Sequence, residues 1–183
     1  MHDTVTTLTA RNTDFAQHGF VRGASMMPAL KTMVIGCADP RVDPAHVLGL
    51  ANGDALVIRN IGGRYTPATL QTMATLGMIA RVEGAAPGPG WNLIVLQHTD
   101  CGITRLGGHP ELLATTFGID EAAVPAKAVD DPRAAVAVDV AAIKDNPFLP
   151  ADFIVSGLVY DVHTGLIETV VAPSPLRESS ATR

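Results

Sequence analysis

No apolar run in the 183-residue sequence approaches the roughly 18–20 residues a membrane span requires, so no transmembrane helix is expected. The opening residues, Met1-His2-Asp3-Thr4-Val5, carry no basic stretch followed by an apolar one, which argues against a secretory signal. Basic residues are few: 13 Lys and Arg stand against 18 Asp and Glu, for a net charge of −5. That balance excludes a nucleic-acid surface, which needs a dense positive face. No G-x-G-x-x-G follows a strand-like run, so the dinucleotide fingerprint is absent. Cysteine is nearly absent too, with two residues in the chain. In a chain without a signal, two thiols are better read as metal ligands or catalytic groups than as a disulfide, and a cytoplasmic location is expected.

What remains is the composition of a globular protein: 47% hydrophobic and 17% charged residues, in a length that suits a single core. Residues 1–31 read as an arm with a helix near 13–18 that adds little to the core and packs on a partner subunit or lies loose. Residues 32–172 read as one α/β domain, and 173–183 as a flexible tail. Within the domain, apolar strands are expected at 32–36, 55–59, 93–97 and 153–160. Their runs are continuous rather than alternating, as for strands buried on both faces of a parallel sheet. Helices are expected at 44–50, 67–82, 110–116 and 132–144, several opened by Pro at the first helical position after a capping residue. Asp161 to Gly165 reads as a hairpin turn, returning the chain as a fifth strand at 166–171. The order predicts a mainly parallel sheet, four parallel strands plus one antiparallel edge strand, flanked by helices.

Two strand ends carry the chemistry. The first runs into Cys37-Ala38-Asp39-Pro40-Arg41, the third into His98-Thr99-Asp100-Cys101-Gly102. In open α/β sheets ligands bind at the carboxyl ends of strands, where the chain order reverses. Cys37, His98 and Cys101 offer two sulfurs and one imidazole, a set suited to one zinc ion per subunit. Three protein ligands leave a fourth position open, which is a catalytic pattern rather than a structural one. Asp39 can fill that position and close the site, or accept a hydrogen bond from water on the metal. Arg41 can hold Asp39 through a bidentate fork and keep it away from the metal. Asp100 reads as a loop cap, with a contact to a zinc-site group as the alternative. Arg59 braces the loop at a subunit interface or merely ends a strand. Gly62, with Gly63, lets the backbone approach a substrate or only makes a turn, and Gly102 is a second substrate-contact candidate. His46, His109 and His163 read as ordinary surface residues, with a proton relay to solvent as the alternative for His109, which follows the second motif.

C-x-D-x-R after the first strand, joined to H-x-x-C after the third, resembles the β-class carbonic anhydrase family. Arg59-Asn60-Ile61-Gly62-Gly63 resembles that family's second strand end, and the likeness extends over about residues 32–171. The resemblance implies zinc held by two Cys and one His, an Asp39–Arg41 dyad, and a homodimer or larger homo-oligomer. It implies the reversible hydration of carbon dioxide to bicarbonate, with no nucleic acid or membrane as partner. The compact branch that the chain resembles also includes carbonyl sulfide and carbon disulfide hydrolases, which release hydrogen sulfide from the same zinc site. A non-catalytic structural-zinc protein is the remaining alternative.

Overall fold

The computed structural model describes residues 3–85 and 87–177. Its four parallel strands are β1 (Thr32–Cys37), β2 (Ala55–Asn60), β3 (Asn92–His98) and β4 (Ile154–Tyr160), and β5 (Ile167–Pro175) runs antiparallel along β4. They lie in the order β2-β1-β3-β4-β5. The first crossover therefore moves to one side of β1 and the next to the other. The chain order reverses between β1 and β3, and a crevice opens at their carboxyl ends. This is the expected sheet, antiparallel edge included.

The central strand β1, Thr-Met-Val-Ile-Gly-Cys, is buried at every position, which explains its unbroken apolar run. One face of the sheet packs Met33, Ile35, Leu93, Val95 and Val155 against Val136, Val140 and Ile143 of helix α5 (Pro132–Lys144). Trp91 stacks on Phe153 at the far end of the sheet, with ring centroids 6.1 Å apart. A second apolar cluster surrounds the strand ends: Val42, Ile103, Leu113, Phe117 and Val124 enclose Cys37 and Cys101. Leu113 and Phe117 come from helix α4 (Pro110–Phe117), which Gly118 ends in the left-handed conformation.

The helices follow their sequence signals with differences at the margins. Helix α1 spans Thr4–His18, longer than its weak periodicity suggested, because Asp3 caps it through Val5 N at 3.1 Å. None of its residues is buried. Helix α2 is one turn, Pro44–Val47, shorter than expected. Pro44 sits hard against β1: a Cβ on Gly36 would lie 2.7 Å from its ring, so the strand needs glycine there. Helix α3 (Pro67–Val82) begins at its Thr66 cap as expected, but buries only Thr69, Met73 and Ala80. Met78, Ile79 and Val82 on it are exposed.

The C-terminal segment corrects the expectation of a flexible tail from residue 173. Strand β5 continues to Pro175, Leu176 is 3% exposed within the main core, and Leu176 N donates to Phe153 O at 2.8 Å. Arg177 adds hydrogen bonds to Asn146 O, at 2.7 Å, and to Leu149 O. The rest of the expected tail, 178–183, lies outside the described residues. Leu176→Ala should therefore cost about 2–5 kcal/mol, the range for emptying a buried leucine site. A fall in the urea midpoint is the expected reading; an unchanged midpoint would put this segment outside the cooperative fold.

Candidate metal centre and its cleft

The two strand ends meet because β1 and β3 are neighbours in parallel register, Gly36 opposite Leu96. Cys37 is the last residue of β1 and His98 the last of β3, so both side chains stand where the strands end. The loop after β3 then folds Cys101 back toward them. Sγ of Cys37 and Sγ of Cys101 stand 3.8 Å apart. One donor atom from each of Cys37, His98 and Cys101 falls within 4.8 Å of the others, and all three residues are buried.

His98 Nδ1 lies 2.9 Å from Thr99 O. A carbonyl only accepts, so Nδ1 carries a proton, and in the neutral ring the lone pair is on Nε2. Nε2 is buried and has no hydrogen-bond partner. An imidazole nitrogen buried beside two sulfurs without a hydrogen-bond partner fits the role of a metal ligand. The thiols agree. Cys37 is held well below its usual thiol range, first by the hydrogen bond from Cys101, while the same bond and burial push Cys101 up. The pair shares a proton at the place a divalent ion would take, and metal binding would release it. Zinc matches this donor set of two sulfurs and one nitrogen.

The loop after Cys37 is braced at several points. Asp39 accepts from Arg41 N at 2.9 Å and Nε at 3.0 Å through Oδ1, and from Nη2 at 2.7 Å through Oδ2. Arg41 donates in turn to Asp100 Oδ2 at 3.0 Å and to Asp100 O at 2.9 Å. Asp100 adopts φ 51, which turns its carboxylate toward Arg41, and Arg105 also donates to it at 3.2 Å. Asp100 is thus an arm of the Arg41 clamp rather than a simple loop cap. Arg59 reaches back from β2 to Cys37 O at 2.9 Å, Asp39 O at 2.8 Å and the Asp43 carboxylate at 2.6 Å. It braces the first ligand loop within its own chain.

The loop after β2 supplies the floor. Asn60 fastens it, accepting from Arg64 N at 2.8 Å and donating to Arg64 O at 2.7 Å. Gly63, at φ 62, lies so close over the β1–β3 junction that a Cβ would stand 2.9 Å from both Cys37 N and Leu96 O. Gly62 lines a cleft of about 210 Å³ with His98, Cys101, Ile103, Gln97 and Arg64. Gly102 is exposed and does not line it. His46, His109 and His163 are exposed and stand apart from the donor cluster.

Sequence reasoning missed three residues here. Arg64 and Asp139 form an ion pair at 2.7 Å, 1% and 0% exposed, and Gln97 Nε2 donates to the same carboxylate at 3.2 Å. The available signal was Asp139 itself, a lone acid on the apolar face of an Ala- and Val-rich helix, where a carboxylate needs a partner.

The Arg41 hydrogen bonds lower the Asp39 pKa to about 2. A depressed carboxylate contributes its pairing energy above its unfolded pKa and loses it as pH falls through the folded value. The Asp39–Arg41 pair should therefore be intact throughout the neutral range and break only toward pH 2. Carboxyl ¹³C titration should show that midpoint, and Arg41→Gln should return Asp39 toward the ordinary value of about 3.9. An Asp39 midpoint insensitive to that substitution would contradict the clamp.

Comparison with known proteins yields a consistent set. The family model described as Carbonic anhydrase matches residues 32–119. The chain is 30% identical over 166 residues to Beta-carbonic anhydrase 1 of Mycobacterium tuberculosis, covering 88% of this chain and 94% of that protein. The crystal structure of carbonic anhydrase from Streptococcus mutans superposes with a TM-score of 0.66 at 28% identity, covering 93% and 98% of the two chains. An apo form of carbon disulfide hydrolase shares the fold, at a TM-score of 0.56 and 22% identity over 90% and 88% of the chains.

Proposed function

We propose, from the premise that this chain belongs to the β-carbonic anhydrase family, that its cleft interconverts carbon dioxide and bicarbonate with one zinc ion held by Cys37, His98 and Cys101. The observation that carries this is the partnerless Nε2 of His98, aimed from a buried position into a cluster with two sulfurs. When bound, zinc supplies Lewis acidity, which makes a water nucleophilic near neutral pH.

The chain's own residues do the rest. Asp39 is an ionised acceptor across the neutral range, able to take a hydrogen bond from the attacking water and orient its lone pair toward carbon. Arg41 keeps that carboxylate charged and turned from the metal, and Asp100 keeps Arg41 in place from the other side. Thr99 O holds the His98 ring in the tautomer that ligation needs. Gly62 and Ile103 give the cleft wall a small and an apolar surface, suited to a neutral linear substrate. Among the described residues, the metal-type cluster holds three ligands and no fourth, which supports a catalytic rather than a structural site.

The same reading makes the protein a homodimer or larger homo-oligomer. Helix α1 buries nothing, and Val5, Leu8 and Phe15 on it are exposed, as are Met78, Ile79 and Val82 on α3. Apolar surface on two helices calls for a cover, and a second copy supplies one. Light scattering on the eluting protein should give at least twice the 19.1 kDa chain mass. A monomer at micromolar concentration would overturn the assembly. A cytoplasmic setting belongs to the same reading, since reducing conditions keep both thiols available.

The deciding assay runs stopped-flow carbon dioxide hydration beside hydrogen sulfide release from carbonyl sulfide, on zinc-loaded protein, with Cys101→Ser as the blank. Hydration should be fast and sulfide release slight. Asp39→Asn should lower hydration by about 10²-fold or more, the scale of a lost proton-handling group. Rapid sulfide release with weak hydration would move the protein to the hydrolase reading, with the residues in the same roles. Neither product above the blank, with zinc bound, would leave a structural site.

A further inference from the structure

One wall of the cleft has no part in the chemistry above. Arg64 lines the cleft yet is only 1% exposed. Its Nε donates to Asp139 Oδ2 at 2.7 Å, and its Nη2 to Lys127 O at 2.7 Å and Asp139 Oδ1 at 3.3 Å. The guanidinium lies over the Phe117 ring, 5.3 Å from its centroid. Nη1 makes no hydrogen bond among the described residues, which leaves one charged donor uncommitted beside the cleft.

Gln97 complements it. Its Nε2 donates to Asp139 Oδ2 at 3.2 Å. A carboxylate only accepts, so this bond fixes which way the amide points. Oε1 is then an acceptor without a partner among the described residues, on a side chain that also lines the cleft. Asp139 is fully buried and further accepts from Tyr65 N at 3.1 Å and Lys127 Nζ at 3.5 Å.

The charges do not cancel. Two cations, Arg64 and Lys127, face the single Asp139 carboxylate. Asp100 also lines the cleft but is held by Arg41 and Arg105, and Asp130 is exposed at the rim, where water screens it. A buried ion pair kept only for packing is commonly replaceable by apolar residues at no loss. The Arg64 N–H left free at the cleft is explained by an anion that arrives and leaves.

We infer that Arg64 and Gln97, both pinned by Asp139, form a seat for a protonated oxyacid monoanion, bicarbonate being the one this cleft makes. The inference rests on the preceding reading of the cleft as the carbon dioxide site. Arg64 Nη1 donates to an anionic oxygen, and Gln97 Oε1 accepts the acid O–H. The seat holds the anion while leaving the neutral substrate without a charge partner. Arg64 and Gln97 are specificity residues on this account, and Asp139 is a positioning residue that acts through them.

Zinc-loaded wild type, Arg64→Lys and Gln97→Met are titrated calorimetrically with sodium bicarbonate and, separately, sodium nitrate at equal ionic strength. Nitrate has the same charge and planarity but no O–H. Arg64→Lys keeps the charge opposite Asp139 and loses the fork, so both anions should bind about tenfold more weakly. Gln97→Met leaves the Arg64–Asp139 pair intact, so bicarbonate should weaken about tenfold while nitrate stays within about twofold. Circular dichroism melts identify folded variants, and Gln97→Met decides alone if Arg64→Lys does not fold. A folded variant that binds bicarbonate as wild type does, while wild type hydrates carbon dioxide, overturns the seat and leaves the proposed function standing. A wild type that binds zinc but neither bicarbonate nor carbon dioxide chemistry overturns the function, and the seat with it.

Discussion

The parallel register of β1 against β3 is the constraint on which the site depends. With Gly36 opposite Leu96, the two strands release Cys37 and His98 at nearly the same level. A slip along the strands would separate the two side chains by about 3.3 Å per residue. The register is enforced by packing: Met33, Ile35, Leu93 and Val95 are locked into the core, and the backbone at Gly63 presses on the junction itself. The glycine is a steric requirement twice over, since its φ of 62 is left-handed and no Cβ fits.

Around that junction, charged side chains are held in pairs rather than singly. Asp39 and Asp100 share Arg41, Asp43 takes Arg59, and Asp139 takes Arg64 with Gln97. The two kinds of pair differ in weight. The Arg41 side chain is 47% exposed, so its pairs contribute little to stability; their effect is to fix the direction and charge of Asp39. Arg64 and Asp139 are fully buried, and removing either alone would leave an uncompensated charge at a cost of about 3–5 kcal/mol. The exposed clamp is therefore free to serve chemistry, while the buried pair shapes the cleft wall.

The candidate ligand set was legible because its signals are local. A thiol two residues before a carboxylate and four before an arginine, and an imidazole three before a second thiol, can be read in a ten-residue window. Parallel-sheet topology was legible for the same reason, from apolar runs alternating with capped helices. The end of β5 was not: Pro173, Ser174 and Pro175 read as a tail, and only pairing with β4 and burial of Leu176 make them part of the sheet. Proline at an edge strand costs no internal ladder bond, so its presence did not exclude a strand.

The sequence by itself determined which donors a metal centre could draw on, since two sulfurs and one imidazole stand at the ends of two strands. It also determined the Asp39–Arg41 pairing, because the residues are two apart on one loop. Only the tertiary structure decided that Asp100 shares Arg41, that Arg59 braces the ligand loop, and that Arg64, Gln97 and Asp139 meet beside the cleft. Arg64 and Asp139 lie 75 residues apart. Periodicity and local spacing cannot report such a meeting; it exists because α5 packs on the sheet with one acid on its buried face, and that acid must find a cation there.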